Sequence, residues 1–248
     1  MRGAQLQGRL PGTRVAMAAR IMPLLTESAA ARLRAWLLPG GEGAARDVRG
    51  VRMHERGEIR SGPAARWMPF EAEEYVDATR SGFRWEARMG SNLLLSVRAT
   101  DAYEDGHGSL VVKKGPIRLV TVEGPDADKG ELQRYLAYVS LCPAMLLNHR
   151  SLAIEEVAPD TLRVHDHDRT ETSVDVHVDE HGAPLVTRAI RPMLVGTKSV
   201  LTPWFATGAV AEEHDGMRIW RTMEASWRPP AGAFAYVRVE VTSFEVVR

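Results

Sequence analysis

Residues 82–89, GFRWEARM, decide how the rest of the chain is read. Phe83, Trp85, Ala87 and Met89 alternate with Arg84, Glu86 and Arg88, an apolar and a charged set at a period of two. A strand sends successive side chains to opposite faces, so this pattern fits a half-buried strand with a core on one side only. Wound into a helix, the same residues would put arginines among the apolar groups.

The period persists outward. VRMHERGEIR (51–60) is expected as a first strand, and NLLLSVRATDAYEDGHGSLVVKKG (92–115) as a hairpin turning at DGHG (105–108), since Asp-Gly supplies the positive φ that tight hairpins need. GPIRLVTVEG (115–124), TLRVHDHD (161–168), ETSVDVHVDE (171–180), PLVTRAIRP (184–192), MRIWRTMEASW (217–227) and AFAYVRVEVTSFEVV (233–247) read as further strands. GTKSVLTPWFATGAVAEE (196–213) shows no clear period.

Two segments break the pattern. TESAAARLRAWLLPGG (26–41) predicts a helix capped by Thr26 and stopped by Pro39-Gly40-Gly41, with Leu25, Leu33, Trp36 and Leu37 as its stripe. GELQRYLAYVSLCP (130–143) places Leu132, Tyr135, Leu136 and Val139 on one helical face, with Glu131, Arg134 and Tyr138 beside it. About nine antiparallel strands and two substantial helices predict a mainly-β, α+β fold: a large sheet that curls into a half-barrel, a helix on its concave face and an N-terminal helix. Residues 1–22 are expected as a flexible extension and 23–248 as a single domain.

Bulk properties narrow the function classes. Lys+Arg and Asp+Glu are both 32, which gives no cationic excess to neutralise phosphates, so a nucleic-acid partner is not expected. No run approaches the roughly 20 apolar residues of a membrane span, and the N-terminal 25 residues lack a continuous apolar stretch. A cytoplasmic protein is the expectation. The one cysteine, Cys142, precedes Pro143 at the end of an apolar helix and reads as a buried, inert thiol. A phosphate-binding glycine loop, GxSxG, HExxH and CxxC are all missing from the sequence, so no cofactor is expected.

Candidate site residues come from parity. Asp101 shares a face with Leu93, Leu95, Val97, Ala99 and Tyr103, and a buried carboxylate needs a partner. Arg134 is the natural one; the alternatives are a structural Asp101 or one that faces a ligand. Tyr75, Phe83, Trp85, Tyr103, Tyr135, Tyr138, Trp204 and Trp227 are either ordinary core or the wall of a cavity. Arg134 and Tyr138 are expected to look toward Asp101 and Tyr103, with Glu131 holding Arg134. His165 and His167 fall opposite Leu162 and Val164, and His177 opposite Val176, so the histidines read as an outward, solvated group, and no metal site is expected there.

RWMPFEAEEYVDATRSGFRWEARM, DAYEDGHGSL, GELQRYLAYVSLCPAML, TPWFATG and MEASW, in this order, resemble an uncharacterised bacterial family of unknown function, from about residue 50 to the C-terminus. The family's pattern is similar to the half-barrel of envelope lipoprotein carriers, which hold acyl chains in an apolar concavity. Its helix reads Arg-Tyr-Leu-Ala-Glu, so Tyr138 stands here where the family has an acid, while Glu131, Arg134, Tyr135 and Pro143 match. Three readings follow. The first is a binder of a hydrophobic or lipid-like small molecule, with Arg134 anchoring a polar or anionic head group. The second is a cofactor-independent cyclase, isomerase or lyase using Asp101 or Tyr138 as acid or base and Arg134 for developing charge. The third is an interaction protein whose cavity its own side chains fill.

Overall fold

The computed structural model describes residues 27–90, 96–196 and 198–248. The expected extension at 1–22, Leu25, Thr26, Leu93 and Leu95 lie outside these residues. Helix α1 (Ala29–Leu37) is capped by Ser28, whose hydroxyl accepts from the Ala31 N–H at 3.2 Å, in place of the Thr26 cap. Leu33 and Leu37 are buried beneath it, and Trp36 packs on Trp220 with ring centres 4.9 Å apart.

A short helix α2 (Glu42–Ala45) leads to a six-strand meander: β1 (Gly50–Ile59), β2 (Met68–Asp77), β3 (Phe83–Met89), β4 (Val97–Glu104), β5 (His107–Lys114) and β6 (Ile117–Glu123). Helix α3 (Pro125–Ala137) continues into a 3-10 turn at Tyr138–Ser140, and α4 (Met145–Asn148) follows. The second meander comprises β7 (Leu152–Ala158), β8 (Thr161–Asp166), β9 (Ser173–Val178), β10 (Pro184–Val195), β11 (Lys198–Gly208), β12 (Ala211–His214), β13 (Met217–Trp220), β14 (Thr222–Trp227) and β15 (Phe234–Val247).

Among the described residues, thirteen strands form one sheet in the order β6-β5-β4-β3-β2-β1-β15-β14-β11-β10-β9-β8-β7, every neighbour antiparallel, while β12 and β13 pair separately. Almost all pairings are local in sequence. The exception is β1 with β15, which joins the two meanders at the middle of the sheet. Thirteen strands is well above the expected nine or so, and a twisted sheet of that width curls. Bulges at His54/Glu55, Val112/Lys113, Pro184/Val186 and Ala225/Ser226 add local bends.

The chain leaves the sheet at one edge, β6, and re-enters at the other, β7, so the segment between them must cross the sheet. That segment is α3. It packs on β4, β5 and β6 of one limb and on β8, β9 and β10 of the other, which makes it the cover of the concave face. Leu132, Tyr135, Leu136 and Val139, the expected stripe, are all buried.

DGHG carries two separate instructions. Glu104 faces His107, leaving a two-residue turn in which Asp105 (φ 50°) and Gly106 (φ 89°) are both left-handed. Gly108 answers to α3 instead: a Cβ there would stand 2.2 Å from the Ala127 carbonyl oxygen, and its N–H donates to Asp128 at 2.8 Å.

The segment without a clear period is β11 and β12. β9 pairs with β10 only as far as Arg188, and β14 with β11 only from Trp204. The far end of the β10–β11 ribbon, residues 193–196 and 198–201, therefore projects beyond its neighbours and exposes Leu194, Val200 and Leu201. A ribbon with no fixed inner face has no reason to alternate.

Candidate functional site

The inner face of the first meander is apolar with three acidic exceptions. On β1 the inward set runs Val51, Met53, Glu55; on β2 it runs Phe70, Ala72, Glu74, Val76; on β4 it includes Ala99, Asp101 and Tyr103. Cross-strand register brings the acids together around Trp85, since Glu74 faces Trp85 and Trp85 faces Asp101. Trp85 donates its indole N–H to Glu55 at 2.9 Å.

Arg134 descends from α3 into this group. Its Nη1 bonds Asp101, its Nη2 lies 3.1 Å from Glu74, and its Nε donates to the Tyr138 hydroxyl oxygen. Tyr138 in turn donates to Glu74 at 2.5 Å. Phe83 and Trp85 lie against the guanidinium, with ring centres 4.8 and 5.3 Å from its central carbon. Burial opposes the charge of Arg134, but Tyr138, Asp101 and Glu74 outweigh it and hold its pKa well above the ordinary value.

Burial, followed by the neighbouring Glu74, pushes the Glu55 carboxyl well above the usual carboxylate range. Glu74, only 1% of whose side chain is exposed, is raised by burial despite the opposing pull of Arg134. Glu55 therefore holds its proton and bonds to Glu74 as a neutral acid. Tyr138 is likewise held neutral, burial raising its pKa well above that of a free phenol.

On the far side of Arg134 stands Glu131. Burial first, and the adjacent Asp101 second, raise its pKa to about 8. The two carboxyls are within hydrogen-bonding reach, and Asp101 Oδ1 and Glu131 Oε2 each lack any other donor. One proton held between them satisfies both. Glu131 Oε1 lies 3.9 Å from Nη2 of Arg191, a β10 residue that is 5% exposed. Arg191 donates to the Gly130 carbonyl at 2.7 Å and lies over Trp204 at 4.7 Å and Trp227 at 5.9 Å.

These groups surround a cavity of about 410 Å³ between the sheet and α3. Its walls are mostly apolar, with Met89, Leu110, Val112 and Val122 on one limb and Met223 and Val239 on the other. Such a volume, with a few convergent polar groups, is the size of small-molecule sites.

Seven of the residues expected from sequence line this space: Trp85, Asp101, Glu131, Arg134, Tyr138, Trp204 and Trp227. Four stand elsewhere. Tyr75 takes the outer face of β2, as its parity with inward Glu74 requires, and its hydroxyl covers Gly50. Phe83 is sealed behind Arg134, edge-on to Tyr138 at 5.5 Å. Tyr103, two residues past Asp101, is buried beyond the cavity beside the hairpin turn. Tyr135 points to the opposite side of α3 and donates to the Asp77 carbonyl at 2.8 Å. Glu131 also differs from expectation, because it turns to Asp101 and Arg191 while Glu74 and Asp101 hold Arg134.

Glu55, Glu74 and Arg191 were missed. The first two were readable, since each continues an apolar period-two set on its strand. Arg191 was not, because a bulge at Pro184/Val186 and the projecting ribbon blur the period of β10. His165 is a second correction: it is 6% exposed, with the His167 ring edge-on against it at 5.4 Å, because the 3-10 turn after β8 folds back over the strand end. Cys142 is buried, which pushes its thiol to about 12.

A family profile matches residues 31–245, nearly the whole described chain. The chain belongs to a family of unknown function, DUF6920. The match starts about twenty residues before the resemblance read from sequence motifs. A search of curated proteins finds no match. Among solved structures, the chain is similar to a LolA superfamily protein from Nitrosomonas europaea (TM-score 0.49, 9% identity, 90% of this chain and 94% of that one). It is also similar to a putative outer membrane lipoprotein-sorting protein domain from Vibrio parahaemolyticus (TM-score 0.47, 9% identity, 84% and 90%). A DUF1329 family protein from Desulfovibrio piger gives TM-score 0.45 at 10% identity, over 84% and 92%. None of the three says what this DUF6920 member binds. Among the described residues no helix is long and apolar enough to cross a membrane.

Proposed function

We propose that the chain binds a hydrophobic or lipid-like small molecule in the cavity between the curled sheet and α3. The observation that carries this reading is the cavity itself, about 410 Å³ with predominantly aliphatic and aromatic walls. A protein whose core was filled by its own side chains would have no such space. Native mass spectrometry of the purified protein, followed by organic extraction, tests it. A stoichiometric apolar molecule is the expected result. An empty protein that also fails to enhance the fluorescence of an apolar probe overturns it.

A second reading has one observation in its favour. Glu131 lines the cavity with a pKa of about 8, close to what a general acid or base at neutral pH requires. A cyclase, isomerase or lyase would use Glu131 rather than Asp101 or Tyr138, whose polar atoms Arg134 and Glu74 already engage. Turnover of the extracted molecule that disappears in Glu131→Gln, with binding retained, supports that reading.

A further inference from the structure

The proposed binding reading leaves open which end of a ligand meets which wall. Resting on that reading, we infer that the cavity selects an apolar molecule with an anionic head group, a carboxylate in the first instance, and that Arg191 receives it.

The two arginines that line the cavity differ in what each still lacks. Arg134 has Asp101, Glu74 and Tyr138 on its three nitrogens, so two acids already answer its charge. Arg191 is the opposite case. It is 5% exposed, one nitrogen donates to a backbone carbonyl, and its Nε–H is buried with no partner. A buried guanidinium with an unmet donor and no counter-ion in contact is costly to the folded protein.

Glu131 is the acid placed to supply that counter-ion, at 3.9 Å, beyond hydrogen-bonding distance. Burial, and then the adjacent Asp101, keep its proton on up to about pH 8. At neutral pH the charge of Arg191 is therefore unanswered from within the protein. A ligand carboxylate on the cavity side of Arg191 would accept from its guanidinium and neutralise it in a water-poor site, where charge-assisted bonds are strong. Trp204 and Trp227 hold the guanidinium plane in place. The aliphatic lining, Met223 and Val239 nearby and Leu110 and Val112 across the space, takes the apolar remainder. A cationic head group has no matching vacancy beside Arg191, since Glu131 there keeps its proton and Asp101 is paired with Arg134.

Three chain-matched probes decide it: dodecanoate, dodecanol and dodecylamine, titrated by calorimetry against the whole protein at neutral pH. Dodecanoate is expected to bind about tenfold or more tightly than dodecanol, and dodecylamine most weakly. In Arg191→Met the ratio of acid to alcohol affinity falls to about one; should that variant not fold, Arg191→Gln serves the same comparison. Equal binding of acid and alcohol by the unmodified protein, or preference for the amine, overturns the head-group assignment and leaves the cavity reading standing. No binding of any of the three overturns both.

Discussion

Arg134 and Arg191 face one cavity and differ in how the protein has answered their charge. Arg134 sits over the limb built by β1–β4, where three inward acids, a phenol and two aromatic rings close around it. Arg191 sits on the limb built by β10, β11 and β14, beside two tryptophans, with one carbonyl hydrogen-bonded and Glu131 no nearer than 3.9 Å. The deeper cation is thus the less paired one: the Arg191 side chain is 7% exposed and that of Arg134 22%. A cation answered by two acids and a phenol holds the structure together; one with no acid within hydrogen-bond reach, at the wall of a cavity, is available to a ligand.

The contrast can be broken by removing each cation. Arg134→Met strands Glu74 and Asp101 as buried acids without their partner, and breaking a buried pair from one side costs roughly 3–5 kcal/mol. Urea denaturation should therefore show a large loss of stability. A loss below that of Arg191→Met would invert the comparison.

Next in size is a pH effect. The folded protein keeps the Glu131 proton up to about pH 8, whereas an unfolded chain releases it near the ordinary value of 4.5. The folded state thus binds more protons in between, and its stability declines as pH rises from about 4.5 to about 8. Glu131→Gln, which can still donate to Asp101, should flatten this part of the profile and gain roughly 3–4 kcal/mol on the unmodified protein between pH 5 and 8. Parallel curves for the two proteins would show that Glu131 is not the titrating group.

Tyr138→Phe keeps the ring against Phe83 and deletes the hydroxyl between Arg134 and Glu74. A hydrogen bond to a charged group is worth about 1.5–2 kcal/mol, and that is the loss expected at the denaturation midpoint. A neutral result would mean that Arg134 alone satisfies Glu74. The smallest change is expected from Arg191→Met: within about 1 kcal/mol, because a lost carbonyl bond is offset by removal of an unpaired buried charge. Destabilisation as large as that of Arg134→Met would mean that Arg191 has a structural partner after all.

Much of this molecule was legible in its residues. Alternation in β3 gave a one-sided sheet, Asp-Gly gave the hairpin, and the spacing of Leu132, Tyr135, Leu136 and Val139 gave the covering helix. The pairing of Arg134 with Asp101 followed from parity and from the cost of a lone buried carboxylate. Parity also held information that the aromatic residues obscured. Tyr75 was taken for a cavity residue although its neighbour Glu74, in step with Phe70, Ala72 and Val76, is the one that faces inward.

Local sequence by itself determined the elements, their buried faces and the acids that need partners, because those depend on periods of two and 3.6 within a few residues. Only the tertiary structure decided which strands lie opposite one another across the cavity. The first meander and the second meet through a single long-range pairing, β1 with β15, and the curl of thirteen strands sets the distance between them. That curl brings Glu131 to 3.9 Å from Arg191 while burial and the neighbouring Asp101 keep the proton on Glu131. No spacing along the chain encodes such a juxtaposition, since it is the sum of many small twists and bulges.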